Sequence, residues 1–186
     1  MIISNVSFPK IIENQIIEKS ESCELMLPYL IKSIRQLEKA GADFIVIPCN
    51  TLHNLLPKIK QNTTLKILNL VDEVCKESIK FGKVGIIGSS KTVDSRIYEN
   101  KGFEIVYPTK EEQKSISQII IKIIRKESNE KDKNKILEII KNVKSRGANK
   151  IILACTDISN LINSKDQEIL DSQEILIKTV IKEMNC

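Results

Sequence analysis

Two short segments of this chain carry the same pattern of residues, and each ends in a thiol. Gly41-Ala42-Asp43-Phe44-Ile45-Val46-Ile47-Pro48-Cys49 returns as Gly147-Ala148-Asn149-Lys150-Ile151-Ile152-Leu153-Ala154-Cys155, with every position at one constant offset. Each copy follows an amphipathic stretch and leads into polar residues, Asn50-Thr51 and Thr156-Asp157. Two like units, each closed by a cysteine, predict two half-sites that face one another. A thiol on each side of a substrate carbon can remove a proton from one face and return one to the other. One sulfur must be thiolate and its counterpart thiol, and the two exchange roles when the chirality of the substrate is inverted. That is two-base racemisation, which calls for no cofactor and no metal. The Cα proton is so weak an acid that water must be excluded and the carbanion stabilised. A cysteine placed between a strand and a helix N-terminus is expected to have its pKa lowered from about 8.5 toward neutral.

Other residues sit where they could serve those thiols. Asn50, Thr51 and Thr156 place short hydrogen-bonding side chains at a helix start, which suits a substrate carboxylate. His53 is the only histidine. It lies four residues after Cys49, on the same helical face. It reads either as a helix contact or as a group that tunes the thiol or touches substrate. The loop Gly88-Ser89-Ser90-Lys91-Thr92 follows a strand but lacks the glycine spacing of a phosphate loop, so it reads as a turn whose hydroxyls bind a carboxylate. Cys23, Cys75 and Cys186 have no matching surroundings and read as structural. The cysteine count is odd and no pair has C-x-x-C spacing, which argues against a disulfide framework or a zinc ribbon. Free cysteine is also a common core residue, so spacing alone leaves a buried role open for Cys49 and Cys155.

The elements that must position these groups alternate. Strands are expected at 2–5, 43–49, 65–70, 84–87, 103–106 and 150–155. Helices are expected at 24–40, from Asn50-Thr51 to about Lys60, at 72–80, just after the 88–92 loop, at 111–125, at 136–145 and from Ser172 to about Glu183. Residues 128–135 read as an exposed charged connection and 163–167 as a loop. Alternation of this kind implies a parallel α/β architecture. The repeat implies two pseudo-symmetric sub-domains, residues 1–76 with 171–186 and residues 82–168, and a cleft between them. Ligand sites in such sheets form beyond the carboxyl ends of the strands, where both thiols fall.

Composition narrows the function classes. The formal charge is +5, but the lysines are interleaved with acids as on solvated helix faces, and aromatic residues are only 4%. Stacking platforms are therefore scarce and nucleic acid is not an expected partner. The mild positive excess favours anionic small molecules. No apolar run approaches the ~18 residues of a membrane span. The N-terminus does not read as a signal peptide, so a cytoplasmic location is expected.

Pro48-Cys49-Asn50-Thr51-Leu52-His53 resembles the P-C-N-T-x-H motif of the aspartate/glutamate racemase superfamily, and Ala154-Cys155-Thr156-Asp157 resembles its G-C-T-E motif. The resemblance continues through Lys66–Glu73, Lys83–Gly88, Pro108–Gln113 and Leu170–Leu176, and is strongest to the aspartate racemase branch. It implies a cofactor-independent racemase, with aspartate as the expected substrate. Cys49 and Cys155 would be the paired acid/base residues, and Asn50, Thr51, Thr92 and Thr156 would bind substrate. Arg125 would hold a carboxylate, with His53 and Asp157 as auxiliaries. Homodimers occur in the family, so self-association is also implied. Three departures stand out. The family's glycine-rich opening strand and turn have no counterpart, so a few tens of residues look absent, through truncation, an upstream start or compensation by association. Ala154 and Asp157 replace Gly and Glu. Lys10 and Ile11 occupy the neighbourhood of an arginine that grips the distal carboxylate. Relatives acting on glutamate or hydantoins, an inactive acid-binding module and a thiol redox protein are the alternative functions.

Overall fold

The near-continuous apolar runs Lys83–Gly88 (β3) and Lys150–Ala154 (β5) form the centre of a four-stranded parallel sheet. Strands of this composition are buried on both faces. Along β5, Ile151 and Leu153 join one core cluster while Ile152 and Ala154 join the other, following the period of two that a pleated strand imposes. The edges are Glu104–Val106 (β4), beside β3, and Ile169–Asp171 (β6), beside β5. The computed structural model describes residues 1–19, 22–162 and 166–185, with backbone only for 14, 15 and 17–19.

Helices Lys110–Ile124 (α6), Glu130–Ser145 (α7) and Thr156–Ile162 (α8) cover one face of this sheet through Ile116, Ile120, Ile136, Ile139 and Ile158. Leu70–Ser78 (α4) and Ser172–Met184 (α9) cover the other through Leu70, Val74 and Leu176. A second sheet pairs Phe44–Val46 (β1) in parallel with Lys66–Leu68 (β2). Its core is filled from Leu27–Lys39 (α2) and Leu56–Lys60 (α3), with Ile16 of Lys10–Lys19 (α1) joining the same cluster. Helix α1 also touches α6 and Ser90–Asp94 (α5). The fold is therefore α/β with two parallel sheets. Among the described residues no helix is long and apolar enough to cross a membrane.

Local chemistry sets the boundaries. The opening glycines of the repeat, Gly41 and Gly147, sit just past α2 and α7 at φ +82° and +98°. Each ends a helix in the left-handed region and turns the chain into a strand. Thr109 with Glu112, and Asn129 with Asp132, form reciprocal capping boxes that start α6 and α7.

Several expectations are corrected. Residues 2–5 are not a strand: residues 1–9 have no regular structure, and no neighbouring strand offers them a ladder. Residues 10–19, unassigned from sequence, are helical. The charged segment 128–135 is not a connection, because α7 begins at Glu130. Its charges are solvated outward, except that Asp132 is buried at the cap and accepts from Lys122 Nζ at 2.7 Å. The helix expected from Asn50 to Lys60 is a 3-10 turn, Thr51–Leu55, followed by α3. Pro57 has no N–H to give to the carbonyl of residue 53, so one α-helix cannot run through. Ser90–Thr92 are not loop but the start of α5. Of the 163–167 loop, residues 163–165 lie outside the described residues, as does Cys186.

Gly85 marks a close approach between β3 and α7. A Cβ there would fall 2.3 Å from Val143 Cγ1 and 2.6 Å from Ile151 Cδ1. Gly85→Ala is expected to destabilise the fold by about 1–3 kcal/mol, the usual range for overpacking, as read by urea unfolding.

Candidate active site

The two cysteines of the repeat stand just beyond the carboxyl ends of their strands. Cys155 directly follows β5 and opens α8, its carbonyl accepting from Ser159 N at 3.1 Å. Cys49 lies three residues past β1 in a tight turn, its N–H donating to Ile47 O at 2.8 Å. The residues beside the thiols meet: Thr156 Oγ1 lies 3.5 Å from Pro48 O. The charge of Cys49 adds to the rise at Cys155.

Protein atoms crowd both thiols, and this decides their electrostatics. Burial pushes the Cys49 thiol up. The N–H groups of Leu52 and Thr51 and the Thr51 hydroxyl pull it down, and the charge of Asp157 adds to the rise. Cys155 is pushed up to about 12, by burial first and then by Asp157, against the N–H groups of Ile158 and Asp157. The expected depression toward neutral is corrected here: the helix-start N–H groups are present, but desolvation outweighs them. Asp157 is itself raised by burial, and the Cys155 thiol donates to its Oδ2 at 3.9 Å.

Around Cys49, three hydroxyls close a triangle. Thr51 Oγ1 is 2.8 Å from Ser89 Oγ and 3.0 Å from Thr92 Oγ1, and Ser89 Oγ is 3.0 Å from Thr92 Oγ1. Ser89 also caps α5, accepting from Thr92 N. Thr51 thereby binds the turn after β1 to the turn after β3.

Asn50 and His53 face inward. Asn50 is 2% exposed, donates Nδ2 to Ser172 Oγ at 3.0 Å and accepts from the Tyr98 hydroxyl. His53 Nε2 accepts from Leu70 N at 3.1 Å, so the ring is neutral with its proton on Nδ1, which donates to Cys49 O at 2.8 Å. Burial holds the ring's pKa below the usual histidine value. Arg125, an exposed C-cap of α6, joins none of these bonds. Lys10 and Ile11 are exposed at the start of α1. Cys23 and Cys75 are buried in separate apolar clusters, with the Cys23 thiol 4.0 Å from Thr51 O. Tyr98 was not singled out from sequence, and Ser172 and Gln113 figured there within segments that carry the family resemblance, not as site residues. For Tyr98 a signal existed: a buried phenol needs a partner, and this chain has only three tyrosines.

With this geometry in hand, similarity to known proteins is informative. The Asp/Glu/hydantoin racemase family model matches residues 1–180. The broad specificity amino-acid racemase RacX of Bacillus subtilis (strain 168) is 31% identical over 160 residues, covering 82% of this chain and 69% of that protein. Among solved structures, an aspartate racemase homologue from Pyrococcus horikoshii OT3 superposes with a TM-score of 0.73 at 29% identity, over 93% of this chain and 80% of its own. The Picrophilus torridus aspartate racemase shares the fold, with a TM-score of 0.74 at 24% identity over 94% of this chain and 74% of its own. The chain belongs to the Asp/Glu/hydantoin racemase family, and is an isomerase of the amino-acid racemase class.

His53→Ala leaves Leu70 N–H and Cys49 C=O without their partner and is expected to cost about 2 kcal/mol or more. Because the folded ring has a lowered pKa, its contribution is full above about 6.5, the unfolded value, and is lost as pH falls toward the folded one. The stability gap between wild type and His53→Ala, measured by urea unfolding, should therefore narrow on acidification.

Proposed function

We propose that the protein racemises a small acidic amino acid, aspartate in the first instance, by cofactor-independent proton transfer between Cys49 and Cys155. The observation that carries this reading is the meeting of the two half-sites, with Thr156 against Pro48, each the neighbour of a cysteine. One sulfur, as thiolate, takes the Cα proton from one face of the substrate. The other, as thiol, delivers its proton to the opposite face. The two then hold each other's starting state, and the enantiomer reverses them. The N–H groups at each sulfur stabilise whichever is the thiolate. The Cys155 thiol donates to Asp157, whose charge opposes thiolate formation at either cysteine.

Thr156, together with Thr51 and Thr92 once an edge of their hydroxyl triangle opens, is assigned to the substrate's carboxylate and amino groups. Asn50 and His53 are assigned to holding the Cys49 turn, since their polar atoms are committed within the protein. The 29% identity to the P. horikoshii aspartate racemase homologue supports the choice of aspartate. The 31% identity to a Bacillus racemase described as broad in specificity favours a second reading, in which several amino acids are accepted.

Incubation in D₂O with each enantiomer of aspartate, followed by proton NMR, is expected to show deuterium entering Cα from both directions. Cys49→Ser and Cys155→Ser should each reduce turnover by about 10²–10⁴-fold. Undiminished exchange in the double variant would end the two-thiol reading. A panel of glutamate, apolar and basic amino acids separates the two substrate readings. Because both thiols are held high, wild-type kcat/KM is expected to climb between about pH 7 and 9.

A further inference from the structure

Gln113 lies in the first turns of α6, and the proposed mechanism makes no use of it. Its Nε2 donates to Gly88 O at 3.0 Å and lies 3.4 Å and 3.5 Å from the hydroxyls of Ser90 and Ser117, which are 2.7 Å apart. A carbonyl oxygen can only accept, so the amide cannot turn over without setting two oxygens together. In this orientation Gln113 Oε1 is buried and has no hydrogen-bond partner. A buried acceptor left unpaired carries a desolvation penalty. The fold keeps the residue with that penalty, and what it retains in exchange is the hold on Gly88.

Gly88 ends β3 and adjoins both half-sites. In the sheet it pairs with Ala154, the residue before Cys155. The approach is so close that a Cβ on Gly88 would lie 3.1 Å from Ala154 O. Its other neighbour, Ser89, contacts Thr51, whose N–H and hydroxyl reach the Cys49 sulfur. A shift of the 88–90 turn would therefore be felt at both sulfurs.

We propose that Gln113 is a positioning residue: its amide, held on Gly88 O, fixes the turn after β3 and through it the placement of Cys49 relative to Cys155. This rests on the two-thiol reading of the site. Gln113→Met keeps the length of the side chain, removes the donor and removes the orphaned oxygen. Its thermal midpoint is expected to stay near that of wild type. Its kcat for racemisation is expected to fall about ten-fold, since small misplacements of reacting groups are enough for that. KM should change little. In Gln113→Glu a neutral carboxyl can donate to Gly88 O and a carboxylate cannot, so its activity relative to wild type should recover as pH falls.

Rates of alkylation by iodoacetamide, read peptide by peptide in the mass spectrometer, test the placement without turnover. They should change at Cys49 and Cys155 in Gln113→Met and stay constant at Cys75. Wild-type kcat together with wild-type alkylation rates in Gln113→Met would overturn the proposal. So would a loss of activity that merely tracks a lowered thermal midpoint with faster alkylation at Cys75 as well. If wild type racemises none of the amino acids offered, the functional reading fails on its own, and the alkylation rates still decide whether Gln113 places the thiols.

Discussion

A sulfur enclosed by protein resists carrying charge, and the architecture around Cys49 and Cys155 is organised by that resistance. The same enclosure leaves each sulfur only half exposed to water. Among the described residues, the counterweights are backbone N–H groups, two at each sulfur, together with the Thr51 hydroxyl. Such N–H groups are free only at the first turn of a helix, and a helix start meets a strand end only where the chain leaves the carboxyl edge of a parallel sheet. The direction of β1 and β5, the glycines that begin each repeat and the turns that follow each cysteine together place unpaired N–H groups at a half-buried sulfur.

Much of this was legible in the residues themselves. The repeat showed two strands that each lead to a cysteine because its apolar run, its glycine and its cysteine each have a local meaning. The central strands were recognisable as unbroken apolar runs. What could not be read depends on partners remote in sequence. Asn50 resembles a ligand residue, yet its amide is taken by Tyr98 and Ser172, 48 and 122 positions away. Periodicity put His53 on the face of Cys49 but could not reveal that Leu70 N–H would arrive at the other ring nitrogen. The start of α7 was hidden because lysines and acids look alike on a solvated helix and in a solvated loop, and only the Asn129 and Asp132 cap separates the two. Residues 2–5 have the composition of a strand, but a strand exists only where another lies beside it.

The division of labour between the sheets is uneven. The four-stranded sheet has helices on both faces, and α4 and α9 close one of them. The two-stranded sheet has its own cluster, which reaches through Ile16 into α1, the helix that also touches α5 and α6. The parts are joined by Val46, which packs on the cluster of the larger sheet, and by polar contacts: Thr51 with Ser89 and Thr92, Asn50 with Tyr98 and Ser172, and Thr156 with Pro48. Hydrogen bonds demand direction as well as proximity, so these contacts set orientation where apolar packing alone would leave room to slide.

The triangle of Thr51, Ser89 and Thr92 has a consequence of its own. Three hydroxyls own three protons, and three edges consume all of them if every edge is a hydrogen bond. The closed ring can then circulate in either of two senses, clockwise or anticlockwise, with no donor left over. An anion entering the cleft, or a negative charge forming on the Cys49 sulfur, obtains a proton from the ring only by opening one edge. The donors are thus kept in mutual storage, aligned in advance. Opening an edge exchanges one hydrogen bond for a charge-assisted one, which is roughly twice as strong. It also removes the choice between the two senses of circulation, so the stronger bond is formed at the expense of a small amount of proton disorder.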